Sequence, residues 1–213
     1  MRILLRGAAA AVLALMIAFA VSSSAADILD DWASVKPPPP PELKSVTLEG
    51  STTALLLLDV MKSTCRTRCL ATLPADKRLH DAAQAAGALL WYSLSGSNGQ
   101  PVPADVADPG IVPLDGQWER LPGPDKFLNS DLDEKLKARG IKTVIICGIP
   151  FQGVGVGTAT EAAERGYKVI VPIDCLATED LYTEQYSAWH LAKSGPGSVT
   201  RAVTLTRSTM VKF

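Results

Sequence analysis

Leu132-Asp133-Glu134-Lys135-Leu136-Lys137-Ala138-Arg139-Gly140-Ile141-Lys142-Thr143-Val144-Ile145-Ile146-Cys147-Gly148 spells a helix, a stop and a strand in consecutive residues. Ser130 stands just before the helix, where its hydroxyl accepts from a free backbone N–H. Leu132 and Leu136 supply one apolar face, and Lys135, Lys137 and Arg139 suit the negative end of the helix dipole. Gly140 ends the helix, and Lys142 to Cys147 is a continuous apolar run of the kind buried on both faces of a sheet. The same alternation extends in both directions. Downstream, Thr158 to Arg165 reads as a helix stopped by Gly166, Tyr167 to Ile173 as a strand, Asp180 to Ala192 as a helix and Arg201 to Leu205 as a last strand. Upstream, Ala54 to Val60 reads as a first strand, Pro74 to Ala86 as a helix with proline in its first turn, and Ala88 to Leu94 as a second strand. A Gly/Pro/Asn-rich stretch from Ser95 to Pro124 is long for a connection. Strands alternating with helices predict an α/β fold with three αβα layers: a Rossmann-like, mostly parallel sheet of about six strands covered on both faces. No internal repeat is present.

The chain has 213 residues, 47% hydrophobic and 20% charged, with a formal charge of −1. This balance lacks the basic footprint of a nucleic-acid binder, and 6% aromatics make a stacking platform for single strands a poor fit. Arg2 and Arg6 precede an uninterrupted apolar run from Gly7 to Ala20, which ends in Val21-Ser22-Ser23-Ser24-Ala25-Ala26. Positive start, apolar middle and small-residue end are the parts of a secretory signal peptide, here residues 1–26 with cleavage near Ala25 or Ala26. The run is shorter than the roughly 20 residues of a spanning helix. The expected product is secreted or periplasmic, with no stable membrane span after cleavage. Residues 27–50 follow as an extended arm carrying five consecutive prolines, Pro37 to Pro41. That run imposes polyproline geometry and excludes a helix or a central strand. Residues 51–213 form the folded domain.

All four cysteines lie beyond the signal segment, where disulfides persist in an exported protein. Cys65 and Cys69, four apart in a polar, Arg-rich stretch, are the favoured bridge. Cys147 and Cys175 lie at the ends of apolar runs, and burial as free thiols stays open for them. A CxxxC metal site lacks further ligands nearby.

Ligands of such sheets bind beyond the carboxyl ends of the strands. Asp59 ends the first strand inside an apolar run, where a carboxylate is costly without a partner. The turn Gly148-Ile149-Pro150-Phe151-Gln152-Gly153-Val154-Gly155-Val156-Gly157 joins a strand to a helix, and its N–H groups are placed for an anion at the helix start. Gly153, Gly155 and Gly157, with Asp174 further on, lack the G-x-G-x-x-G spacing of a dinucleotide site and do not follow the first strand. His80 and His190 are expected on surface helices as solvated or interface residues.

Taken together, the pieces resemble the isochorismatase-like family, also called the cysteine hydrolase or nicotinamidase-like family. The resemblance runs from about Thr53 to the sixth strand. It is carried most strongly by Ser130-Asp131-Leu132-Asp133, Gly140 through Gly148, Thr158-Ala159 and Arg165-Gly166-Tyr167-Lys168-Val169. It implies a catalytic triad of a first-strand Asp, a Lys before the third helix and a Cys at the fourth strand–helix turn. Asp59 falls on the aspartate and Lys126 on the lysine, although the stretch from Lys126 to Ser130 is shorter than usual. The nucleophile position is occupied by Val154. The residues that hold a metal in nicotinamidases are missing from the Ser95–Gly110 loop, so no metal or other cofactor is implied. The resemblance also implies a cis peptide at Ile149–Pro150, an oxyanion or anion-binding turn of Ile149, Pro150, Gly153 and Val154, and assembly into a homo-oligomer. Thiol chemistry is disfavoured, and Cys65 or Cys175 as a substitute nucleophile is a weaker reading than a disulfide or a buried structural role. Isochorismatases proper also lack the thiol and hydrolyse a vinyl ether, with the aspartate as general acid. Two readings follow: a hydrolase of a small, anionic substrate built on Asp59 and Lys126, or a catalytically inactive member serving as a small-molecule binding or assembly module.

Overall fold

Two stretches of leucine, valine and isoleucine set the centre of the molecule, and the computed structural model describes residues 27–95, 99 and 101–213 around them. The expected signal peptide and part of the Ser95–Pro124 connection lie outside the described residues. The chain divides into two units at Pro39/Pro40. In the first, α1 (Ile28–Asp31) is a short helix inside the expected arm, held by a reciprocal cap between Asp27 and Asp30.

The second unit runs from Pro40 to Phe213. Here β1 (Val46–Thr47) pairs in parallel with Val211 and Lys212 at the other end of the chain, and Leu48 N–H donates to Lys212 O at 2.9 Å. Residues with no hydrophobic run of their own are thus recruited by a distant partner strand. Next comes β2 (Thr53–Leu58), all six residues buried, then α2 (Thr67–Ala85), β3 (Leu89–Ser93) and the short β4 (Trp118–Glu119). After α3 (Leu132–Ala138), β5 (Thr143–Gly148) is again buried throughout. A π-turn at Phe151–Gly155 leads into α4 (Val156–Glu164), followed by β6 (Lys168–Pro172) and α5 (Leu181–Trp189). The chain closes with α6 (Gly197–Ala202), β7 (Val203–Thr206) and β8 (Val211–Lys212).

The six-stranded sheet has the order β4-β3-β2-β5-β6-β7, and every neighbouring pair is parallel. Helices flank it in a three-layer α/β arrangement, as the strand–helix alternation predicts. The central neighbours β2 and β5 send their connections opposite ways, through α2 to β3 and through α4 to β6. Their carboxyl ends therefore border the switch-point crevice of an open α/β sheet.

Two elements differ from the periodicity reading. The helix expected from Pro74 starts seven residues earlier, with Pro74 inside it. The Cys65–Cys69 disulfide ties its first turn, and tertiary packing carries the helix through a residue that favours the start. Arg201 and Ala202, expected in a strand, are the last residues of helix α6, because Gly197 to Ala202 turn before β7 joins the sheet edge.

Candidate functional site

The crevice is built from the two strand ends upward. Asp59 directly follows β2 and turns sharply, with φ +56°, a left-handed conformation that Asp tolerates better than branched residues. Its N–H donates to Ser93 O at 3.0 Å, and its carbonyl accepts from Thr64 Oγ1 at 3.0 Å. The side chain is thereby aimed across the sheet end. Beside it, Gly148 has φ +142° and passes so close to Leu58 that a Cβ would enter the Leu58 backbone. Only glycine fits that approach.

Lys126 arrives from the connection before α3. Gly157 in the first turn of α4 leaves room for Pro124, whose carbonyl oxygen would lie 2.6 Å from an added Cβ. Thr158 Oγ1 then accepts from Lys126 N–H at 3.3 Å. Ser130, expected to cap α3, donates its hydroxyl to Lys126 O at 2.7 Å and contacts Leu132 N at 3.4 Å, so it fastens the lysine loop as well as the helix start.

The structure brings the two predicted polar residues together: Lys126 Nζ lies 2.7 Å from Asp59 Oδ2. Lys126 is 0% exposed and Asp59 5%. Lys126 Nζ also donates to Leu121 O at 2.6 Å and Gly123 O at 2.9 Å, so its three protons meet three acceptors. The other carboxylate oxygen, Asp59 Oδ1, accepts from Ser93 Oγ at 2.7 Å. A buried ion pair of this kind is tolerated because each oxygen of the acid and each proton of the amine has a hydrogen-bond partner. Sequence reasoning missed Ser93. Its signal was a serine ending an otherwise apolar strand, and it lies in register with Leu58, the residue before Asp59.

Val154 lies in the π-turn and is 3% exposed, beside buried Phe151. The Ile149–Pro150 peptide is cis, in agreement with the expectation. Ile149 N–H donates to Leu58 O at 3.0 Å and Gly153 N–H to Pro150 O at 3.1 Å, and Pro150 has no N–H, so these positions of the expected anion-binding turn spend their donors inside the chain. Against this turn lies a cavity of about 240 Å³ lined by Thr64, Cys69, Ile149, Pro150, Ala177, Thr178 and Glu179. Arg68 braces its wall: Nε donates to Thr178 O at 2.9 Å and Nη2 to Glu184 Oε1 at 2.5 Å, while Glu179 Oε1 accepts from Arg68 N–H at 3.2 Å.

Cys65 pairs with Cys69 as expected, and Cys147 pairs with Cys175. The readings of Cys147 and Cys175 as free thiols, and of Cys65 or Cys175 as substitute nucleophile, are therefore corrected. Adjacent strand ends bring these sulfurs within bonding reach, which spacing in the chain does not reveal. Asp76 on α2 places a carboxylate oxygen and the Cys147 and Cys175 sulfurs within 4.8 Å of one another, but the disulfide leaves no thiolate for a metal. His80 is buried rather than solvated, and its Nδ1 lies 3.0 Å from Asp81 Oδ1. His190 stacks on Tyr186 at 5.6 Å and pairs with Ser194 Oγ at 3.1 Å. Asp174 accepts from the N–H and hydroxyl of Ser208, both at 2.7 Å, a structural anchor rather than a ribose contact. Among the described residues, no helix is long and apolar enough to cross a membrane.

Comparison with known proteins agrees with this architecture. Residues 53–203 match the family description Isochorismatase domain. An uncharacterized isochorismatase family protein of Bacillus subtilis, YwoC, is 37% identical over 105 residues, 46% of this chain and 53% of its own length. A second from the same organism, YddQ, is 36% identical over 61 residues, 29% of this chain and 34% of its own. This chain thus spans about half or less of these curated relatives. Among solved structures, an isochorismatase from Pseudomonas putida superposes with a TM-score of 0.64 at 21% identity, covering 78% of this chain and 93% of that one. A pyrazinamidase/nicotinamidase from Streptococcus mutans gives 0.58 at 18%, covering 72% and 99%. At these identities the likeness is one of fold.

Proposed function

Because the chain belongs to the isochorismatase family, we propose that it is an exported, hydrolase-fold protein that binds a small uncharged molecule without thiol-based turnover. The observation that carries this reading is that the acid–amine pair is engaged within the chain. Every proton of Lys126 Nζ and both oxygens of Asp59 have partners within the chain. The position of the nucleophile holds a buried valine, and all four cysteines are in disulfides. An activated nucleophile needs a base free to take its proton, and this pair has none to activate.

The cavity beside the cis turn is the proposed binding place. It offers two threonine side chains, apolar walls from Ile149, Pro150 and Ala177, and a carboxylate from Glu179. Among the described residues, no lysine or arginine lines it, which favours an uncharged ligand over the anionic one expected from sequence. Export rests on the Arg2/Arg6-led apolar segment and is supported by the two disulfides, which persist in oxidising compartments. A homo-oligomer belongs to the same reading, supported by exposed Leu181, Tyr182 and Tyr186 on α5.

A second reading, thiol-free hydrolysis with Asp59 as acid, is favoured by the retained 2.7 Å contact between Asp59 and Lys126. Against it, both carboxylate oxygens already accept hydrogen bonds, an arrangement suited to an acceptor. The test is a thermal-shift panel of neutral, cationic and anionic small molecules, run beside turnover of small amides and enol ethers. Neutral binders weakened by Thr64→Val or Thr178→Val, with no turnover, are expected. Turnover abolished by Asp59→Asn and by Lys126→Ala would overturn the binding reading in favour of the hydrolase.

A further inference from the structure

Asp76 is an acid that the candidate site does not use. It is 0% exposed, its Oδ2 accepts from Thr72 Oγ1 at 3.1 Å, and its Oδ1 has no partner among the described residues. It stands beside the fully buried Cys147–Cys175 disulfide. Burial pushes its carboxyl up to about 8, against the opposing Thr72 hydrogen bond, with Asp174 and Asp108 adding to the rise. The charged groups acting on it across its packing neighbours, Asp174 after β6 and Asp108 before Pro109, are both acidic. Arg78, the cation of the same helix that reaches this side, donates to Ser208 Oγ at 2.8 Å, the hydroxyl that holds Asp174. A neutral carboxyl in the core, within 4.8 Å of both sulfurs, is a proton held in reserve.

The two cysteines differ in setting. Cys147 is fixed in central strand β5, whereas Cys175 lies on the irregular segment between β6 and α5. That segment is tied to the site: Gly148 N–H donates to Cys175 O at 2.9 Å, and Phe151 N–H to Ala177 O at 2.8 Å. Ala177 and Thr178 wall the cavity. We propose that Cys147–Cys175 is a redox-active disulfide with Asp76 as its proton relay, and that its opening by a dithiol releases the segment that walls the cavity. This inference does not depend on what the cavity binds.

The step balances as follows. Cys175 is 0% exposed, so the reagent enters during a local opening of the segment between β6 and α5. A thiolate of the dithiol then attacks Cys175 Sγ, the Cys147–Cys175 bond breaks, and its electron pair stays on Cys147 Sγ, which takes the Asp76 proton. The second thiolate of the reagent closes on its own mixed disulfide, expelling Cys175, which is protonated in turn. The reagent leaves as a disulfide, and Asp76 recovers a proton from the reagent's thiols through solvent. Two electrons and two protons have passed to the cysteine pair. A thiolate left in an apolar core without a donor would be strongly disfavoured, which is the task assigned to Asp76.

The test exposes the folded, full disulfide-bonded chain to dithiothreitol across pH 5 to about 9.5, traps thiols with an alkylating reagent and reads each pair by mass spectrometry. Cys65–Cys69, in the same molecule, corrects for the reagent's own ionisation. The expected ratio of Cys147–Cys175 to Cys65–Cys69 reduction is flat in acid and falls by about tenfold per pH unit once Asp76 has lost its proton. Asp76→Asn, which cannot donate an acid proton, lowers the ratio at pH 6 by roughly a hundredfold, the lower end for a positioned general acid. A ratio that does not fall with pH overturns the proposal, and this wild-type readout stands even where the variant fails to fold. Unchanged reduction in a folded Asp76→Asn overturns it too, as does a Cys147–Cys175 bond reduced only at the rate of global unfolding.

Discussion

Asp59 and Asp76 are two carboxyls buried in one core, and they are handled in opposite ways. Asp59 meets a lysine at 2.7 Å and a serine at 2.7 Å, so each of its oxygens has a partner. Asp76 meets one threonine hydroxyl, keeps one oxygen without a partner and is pushed up to about 8, chiefly by burial. Depth alone therefore does not fix the electrical state of an acid; the neighbours decide. One buried carboxyl is held as half of an ion pair, and the other is held as a neutral acid.

The strongest way to break this contrast is to make Asp59 resemble Asp76 by removing its partner. Lys126→Ala is expected to cost about 3–5 kcal/mol in denaturant unfolding, since it strands a buried charge. The double variant Asp59→Leu/Lys126→Met should recover most of that loss. A single variant as stable as the double one would show that the pair contributes nothing as a pair.

Next in size are the disulfides that flank each acid. The chain-entropy relation assigns about 3.5 kcal/mol to Cys147–Cys175, which closes 28 residues, and about 2 kcal/mol to Cys65–Cys69, which closes 4. Paired Cys→Ala substitutions compared by thermal unfolding measure both, and the reverse order would mean that local packing outweighs loop length.

The pH response sharpens the contrast further. The fold raises the Asp76 carboxyl from 3.8 to about 8, so the native state holds a proton that the unfolded chain has lost between those values. Its contribution is complete below 3.8 and disappears as the pH rises towards about 8. Wild-type stability should accordingly decline across that window more steeply than that of Asp76→Asn. Parallel curves would remove the neutral acid from the account.

The smallest effect is expected from Val154→Cys, a near-isosteric change costing under about 1.5 kcal/mol. Alkylation should then find one thiol per chain where the wild type has none. Labelling no faster than that of a buried thiol is the outcome consistent with a saturated Asp59–Lys126 pair, whereas rapid labelling would show that the pair still activates a nucleophile.

The sheet was readable because β2 and β5 are unbroken apolar runs, and every one of their residues is buried. Asp59 was readable for the same reason, as a charge at the edge of such a run. Lys126 was reached only through family resemblance, since nothing in Pro124-Asp125-Lys126-Phe127 announces a side chain that satisfies its protons on Leu121 and Gly123. Ser93, Asp76 and the Cys147–Cys175 pairing depend on contacts between strands and helices far apart in the chain, which local periodicity does not encode. β1 was hidden likewise, because its ladder partner lies more than 160 residues away.

That last pairing has a practical corollary. With Val46 beside Val211 and Thr47 beside Lys212, the two extremities of the folded unit emerge side by side from one seam. A circularly permuted version that joins Val46 to the strand end at Lys212 through a short linker, and is cut in an exposed connection elsewhere, should need little extra chain.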